Sequence, residues 1–176
     1  ATRLVNQLLL MANAENPGSV GMSSLDLVSL AKERTLAWVD QALNTHIDLG
    51  FEGDEEPVMI RGQALLLSEA LNNLIDNALK YGNSDAPVML TLEATPTGRV
   101  AITVRDEGEG ISPEHLPRLT ERFYRADAGR SRAAGGTGLG LAIVKHIVER
   151  HRGRFDISSF PGQGTTASII LPLLAG

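Results

Sequence analysis

The 176-residue chain contains no cysteine. That excludes a disulfide framework and thiolate metal sites, and it agrees with a reducing cytoplasm. Excess positive charge is also missing: the formal net charge is -5, which disfavours non-specific binding to nucleic acid. No apolar run approaches the ~18–20 residues that span a bilayer. Neither a signal peptide, an internal repeat nor a low-complexity segment is visible. No glycine is followed by Lys and then Ser or Thr, so there is no standard phosphate-binding P-loop. What remains is ordinary for a soluble globular domain. Apolar residues make up 43% and charged residues 21%, in a length that suits one domain with a proper core.

Periodicity sets the expected elements. The opening "ATRLVNQLLLMANAEN" carries Leu4, Val5, Leu8, Leu9 and Met11 at helical spacing and has no initiator Met. It reads as the middle of a helix in a fragment of something longer. "NPGSVGMSS" follows as a linker. Ser24 to Leu43 forms a second helical pattern, with Leu27, Val28, Leu30, Ala31, Leu36, Val39 and Leu43 as its expected buried positions. "THIDLGFE" alternates like a strand, and "EEPVMI" is expected to be its hairpin partner. Gly62 to Tyr81 is a helix, "VMLTLEA" and "RVAITVRD" are strands joined by a Pro-Thr-Gly turn, and Leu139 to Arg150 is a helix. "RFDISSF" and "TTASIILPLL" are the last two strands, around a "PGQG" turn. This order predicts an α/β (α+β) two-layer sandwich, with a mixed, mostly antiparallel sheet and three helices on one face.

Four stretches carry chemistry. In the helix from Gly62 to Tyr81, Leu67, Leu71, Leu74, Ile75 and Ala78 take one side, and Glu69, Asn73, Asn77 and Lys80 line the other. Asparagine is a mediocre helix former. Amide oxygens on successive turns can hold a hydrated Mg2+, and a neighbouring lysine can meet phosphate. A plain solvated face is the competing reading. "DEGEGI", at the end of a strand, is either a simple turn or a site where Asp106 accepts a hydrogen bond from a base. A carboxylate there prefers adenine, which offers an amino donor, to guanine, which offers a carbonyl. "GGTGLGLAI", about thirty residues on, opens a helix whose N–H groups suit phosphate; a flexible hinge is the alternative. No strand precedes it, so the dinucleotide-binding fingerprint does not apply. Between the two turns, five arginines stand against three acids. They suit a lid over phosphates, although a solvated loop explains any one of them.

Taken in order, "NNLIDNALKYG", "DEGEGI", "ERFYRAD" and "GGTGLGLAIVKHI" resemble the asparagine, first glycine, phenylalanine and second glycine boxes of bacterial sensor histidine kinases. The resemblance covers about Ser24 to the C-terminus and is closest to membrane-bound kinases of the tricarboxylate and quorum-sensing types. It implies the Bergerat ATP-binding fold, shared with gyrase, a heat-shock chaperone and a mismatch-repair ATPase. It also implies a division into residues 1–16, a remnant of the dimerisation helix, a linker at 17–23, and the ATP-binding domain at 24–176, with its lid at about 111–137. By that resemblance Asn77 binds Mg2+, Asn73 contacts metal or phosphate, Lys80 faces phosphate and Tyr81 faces the nucleotide. Asp106 holds the adenine amine, Gly108, Gly110 and Ile111 form that wall, and Thr165 joins the water network beside it. Gly136, Thr137, Gly138, Leu139, Gly140 and Leu141 surround the phosphates. Phe123 and Tyr124 anchor the lid, and Arg130 or Arg132 reaches the γ-phosphate. The implied cofactors are ATP and Mg2+. The implied partners are the kinase's own dimerisation domain and, through it, a response regulator. The fragment is expected to be a monomer, and the full-length protein a homodimer in the bacterial inner membrane with this domain in the cytoplasm.

Some positions depart from the family pattern. Glu109 stands where Pro is common, Gly62-Gln63 where an acid or Asn is usual, and Gly82 where Thr or Ser is common. Relatives that hydrolyse ATP carry a Glu where Asn73 stands here, and an amide cannot act as a base. That argues against a clamp- or chaperone-type ATPase. The retained Asp106, Asn77 and glycines argue against a non-catalytic module, and the phenylalanine box against an anti-sigma-type serine kinase. The phosphoacceptor histidine is missing: His46, His115, His146 and His151 all lack the acid followed by Arg or Pro. Each reads as surface or packing, with His151 suited to a helix C-terminal dipole.

Overall fold

The structure, a computed structural model, describes residues 22–53, 55–83, 85–111 and 140–174. Its elements are β1 (Ser23–Asp26), α1 (Leu27–Asn44), β2 (Leu49–Gly53), β3 (Met59–Gly62), α2 (Ala64–Tyr81), β4 (Val88–Ala94), β5 (Arg99–Asp106), α3 (Gly140–Arg150), β6 (Arg154–Phe160) and β7 (Gly164–Pro172). Five strands form one sheet in the order β2-β4-β5-β7-β6. Among the described residues only the β2–β4 pair is parallel. The three described helices cover one face, so the expected two-layer sandwich is what the chain builds.

Alternation decides which face is covered. Leu90 and Leu92, Val100, Ile102 and Val104, and Ala167, Ile169 and Leu171 all point inward. The central helix α2 buries Leu66, Leu67, Ala70, Leu71, Leu74, Ile75 and Ala78 between the sheet and its neighbours. From α3 come Ala142, Ile143, Val144, Ile147 and Val148. Each large apolar side chain buried this way contributes about 1.5–3 kcal/mol. Among the described residues no helix is long and apolar enough to cross a membrane.

Three expectations need correction. Ser24 to Asp26 belong to strand β1, and α1 starts at Leu27. Asp26 causes the change of structure, because its Oδ1 accepts from the N–H of Val28 and of Val58, both at 3.0 Å. The stretch ending at Ile60 is not the hairpin partner of β2. β3 pairs antiparallel with β1 in a separate two-stranded sheet, and β2 lies parallel to β4. Leu36 and Leu43 are not core residues; Leu36 is 74% exposed. Nine residues at 3.6 per turn set Leu36 about half a turn away from Leu27, while Ala31, Thr35 and Ala42 share the buried side. Trp38 Nε1–H fixes that side by donating to Asn72 Oδ1 on α2 at 2.9 Å.

The topology brings the end of α2, the end of β5 and the β6–β7 turn to one end of the sheet. The start of α2 and the end of α3 lie at the other.

Candidate functional site

Asp106 is the last residue of β5 and stands opposite Thr165 in the β5–β7 register. It is on the inward face and buried. Its Oδ1 accepts from the N–H of Gly108 at 2.9 Å and of Thr165 at 3.3 Å. Neither bond uses Oδ2. Burial pushes the carboxyl above its ordinary range, and the two N–H donors partly pull it back. Among the described residues this is a carboxylate held through one oxygen, with the second available to a donor.

The turn after Asp106 is fixed from both sides. On one side a Cβ on Gly108 would run into the carbonyl oxygen of Tyr81, the last residue of α2. Asn83 Nδ2 donates to the Glu107 carbonyl at 2.6 Å. On the other side Gly110, at φ 78°, lies against the Phe160 carbonyl. Only glycine fits such a left-handed, crowded position. The N–H of Gly162 donates to the Glu109 carbonyl at 2.6 Å, and that of Ile111 to Ser159 Oγ at 2.7 Å.

Asn73 does not lie on a solvated face; it is 2% exposed. The cause is α3, whose first residue, Gly140, packs on it: a Cβ there would lie 3.6 Å from Asn73 Oδ1. Residues 67 positions apart in sequence thereby share one wall. Asn77 is half-buried one turn further along α2, and Lys80 and Tyr81 follow, also half-buried. Lys80 Nζ forms an ion pair with Asp76 Oδ2 at 3.1 Å. Asp76 itself is buried, so the ammonium is held toward the same side of the helix as Asn73 and Asn77.

The structure therefore gathers Asp106, Gly108, Gly110, Ile111 and Thr165 at one wall, and Asn73, Asn77, Lys80, Gly140 and the half-buried Leu141 near another, with Tyr81 at their junction. Phe123, Tyr124, Arg130, Arg132, Gly136, Thr137, Gly138 and Leu139 lie outside the described residues. Asp76 and Ser159 escaped the sequence reading. The i,i+4 spacing of Asp76 and Lys80 was an available signal for the first. For Ser159, an ordinary serine in an alternating strand, no local signal exists.

His151 is a packing residue, as expected, but it brings no charge to the helix dipole; the basic residue of the last turn is Arg150. It is buried, its Nδ1–H donates to the Ile147 carbonyl at 2.8 Å, and its Nε2 accepts from the Gln63 N–H at 3.0 Å. Burial holds its pKa below the ordinary 6.5, and the bond accepted at Nε2 requires the neutral ring. Gln63 is the residue before α2 and makes no side-chain cap. The histidine accepts one of the N–H groups that a capping side chain would otherwise serve.

Comparison with known proteins gives the family and the fold. Residues 62–175 match the family described as histidine kinase-, DNA gyrase B- and HSP90-like ATPase. The chain is 40% identical to the sensor histidine kinase YkoH of Bacillus subtilis, over 95% of its own length and 36% of that protein. It is 43% identical to the phosphate regulon sensor protein PhoR of Pseudomonas aeruginosa, over 93% of its length and 37% of that protein. It thus spans little more than a third of these curated relatives. Full-length ShkA, crystallised with AMPPNP, superposes with a TM-score of 0.85 at 26% identity, covering 99% of this chain and 36% of that one. The mycobacterial sensor histidine kinase MprB gives 0.76 at 25% identity, covering 89% of this chain and 100% of that one.

Proposed function

The chain belongs to the histidine kinase-, DNA gyrase B- and HSP90-like ATPase family, and from that premise we propose that it is the catalytic ATP-binding domain of a sensor histidine kinase. The observation that carries this reading is the convergence of a buried, half-satisfied Asp106 with the Asn73–Gly140 contact at the same end of the fold. Magnesium-bound ATP supplies the γ-phosphoryl group when it is present. Asp106 Oδ2 would accept from the amino group of an adenine ring, and a guanine carbonyl there would leave two acceptors facing one another. The amide oxygens of Asn77 and Asn73 suit a hard cation that keeps part of its water. Asp76 orients Lys80 toward the phosphates. Asn73 has no useful proton affinity, so water beside it is not activated, and the domain stores the nucleotide until an acceptor docks.

The acceptor is a histidine on a dimerisation domain of the same kinase, with onward transfer to an aspartate of a response regulator. Residues 1–16, which lie outside the described residues, are assigned to that dimerisation segment, residues 17–23 to a linker and residues 24–176 to the ATP-binding domain. In the whole protein this domain works in the cytoplasm beneath a sensor in the bacterial inner membrane. Phe123, Tyr124, Arg130 and Arg132 act in the lid, and the glycines 136 and 138 complete the phosphate wall.

Calorimetric titration with Mg-ATP and Mg-GTP, beside an assay for released phosphate, tests the reading. ATP should bind, GTP should bind far more weakly, and phosphate release should be negligible. Asp106→Asn should lose ATP binding by about 10–100-fold, as expected for a charged hydrogen bond of ~1.5–3 kcal/mol. Rapid turnover without a partner would establish a hydrolase instead. No binding of either nucleotide would remove the kinase reading.

A further inference from the structure

The inward face of the sheet changes character in its last row. Across β5, β7 and β6 the penultimate row is Val104, Ala167 and Ile157, and the final row is Asp106, Thr165 and Ser159. The resemblance accounts for the first two members of that final row. Ser159 is only 5% exposed, and a buried hydroxyl is costly unless bonded.

Its bonding is complete, and this fixes the direction of every proton. A serine hydroxyl donates once and accepts twice. Ser159 Oγ–H donates to the Gly164 carbonyl at 3.0 Å, since a carbonyl can only accept. Ser159 Oγ accepts from the Ile111 N–H at 2.7 Å. The remaining contact, with Thr165 Oγ1 at 2.9 Å, must then run from threonine to serine. Thr165 thereby spends its only hydroxyl proton on Ser159, and its Oγ1 is left as an acceptor toward everything else. The Thr165 N–H meanwhile donates to Asp106 Oδ1.

We infer that Ser159 is a positioning and specificity-determining residue for the base site. It orients the Thr165 hydroxyl so that Asp106 and Thr165 both present acceptors, and it ties Ile111, the end of the glycine turn, to the same row. A base edge carrying an amino donor is favoured, and one carrying a carbonyl is rejected twice. The inference rests on the nucleotide reading above. Without Ser159 the Thr165 hydroxyl rotates freely and can serve a carbonyl as well as an amine.

The test measures ATP and GTP affinity by calorimetry, with amide hydrogen exchange on the same samples. Ser159→Ala should weaken ATP binding about tenfold and weaken GTP less, so that the ATP/GTP ratio falls. Exchange at the Ile111 amide should accelerate while Ile102, deep in β5, stays protected; a merely structural loss would move both. Ser159→Thr, which keeps the hydroxyl, should restore most of the ratio. An unchanged ratio in a folded Ser159→Ala protein that binds ATP would overturn the inference. Should the alanine variant not fold, the wild type decides: an Ile111 amide that exchanges at open-chain rate overturns the tie, and a protected one supports it. Wild type that binds neither nucleotide defeats the nucleotide reading itself, and with it this one.

Discussion

The two ends of the sheet are built from the same strands and teach opposite lessons. At one end the β4–β5 turn closes through Gly98, whose φ of 77° is left-handed but whose surroundings are open within 4 Å. At the other, Gly110 has almost the same φ, 78°, yet a Cβ would strike the Phe160 backbone. A buried titratable group at each end repeats the contrast. His151 has both ring nitrogens bonded, near the start of α2. Among the described residues, Asp106 has one oxygen bonded to the protein. The first arrangement is closed and serves the fold. The second is left open by one acceptor, which is how a site differs from a core.

Substitution at the two turn glycines probes the contrast most strongly. Gly110→Ala should cost about 3 kcal/mol or more, because backbone strain and a backbone clash coincide. Gly98→Ala should cost about 1–2 kcal/mol, the left-handed strain alone. Urea denaturation of both variants reads the difference, and equal losses would break the comparison.

His151→Gln should cost about 1–3 kcal/mol near neutral pH, since the Gln63 N–H loses its ring partner. The pH dependence has a definite sign. The folded pKa of His151 lies below its ordinary 6.5, so its contribution is whole above that value and is lost as the pH falls toward the folded pKa. Melting curves between pH 7.5 and about 5 should show wild type losing stability through this group, and the glutamine variant should lack that part of the slope.

Asp106 should behave in the opposite sense. Its folded pKa lies above the ordinary 3.8. Its contribution is therefore whole at low pH and fades as the pH rises through the folded value, leaving a buried carboxylate that costs stability at neutral pH. Asp106→Asn should stabilise the ligand-free protein by about 0.5–2 kcal/mol at pH 7 while it destroys adenine preference. A variant that lost both stability and binding would show the aspartate to be a structural residue like His151.

Much of this was legible in the chain. Val88–Ala94, Arg99–Asp106 and Arg154–Phe160 are strands within the bounds that alternation sets, and α2 and α3 start within two residues of expectation. The four boxes, in order, carried the family. What periodicity could not say was which apolar stripe of α1 is buried, since Leu36 and Leu43 form as plausible a stripe as Ala31, Thr35 and Ala42. Nor could it find the partner of β3, which follows from Asp26 holding Val58 from 32 residues away.

The sequence by itself determined most of the elements, β1 excepted, and the residue chemistry at the glycine turns, because both depend on near neighbours and on backbone freedom. Only the tertiary structure decided the burial of Asn73, the tautomer of His151 and the row Asp106–Thr165–Ser159. Each depends on register or packing between segments far apart in the chain, and no local pattern encodes how two strands slide past one another.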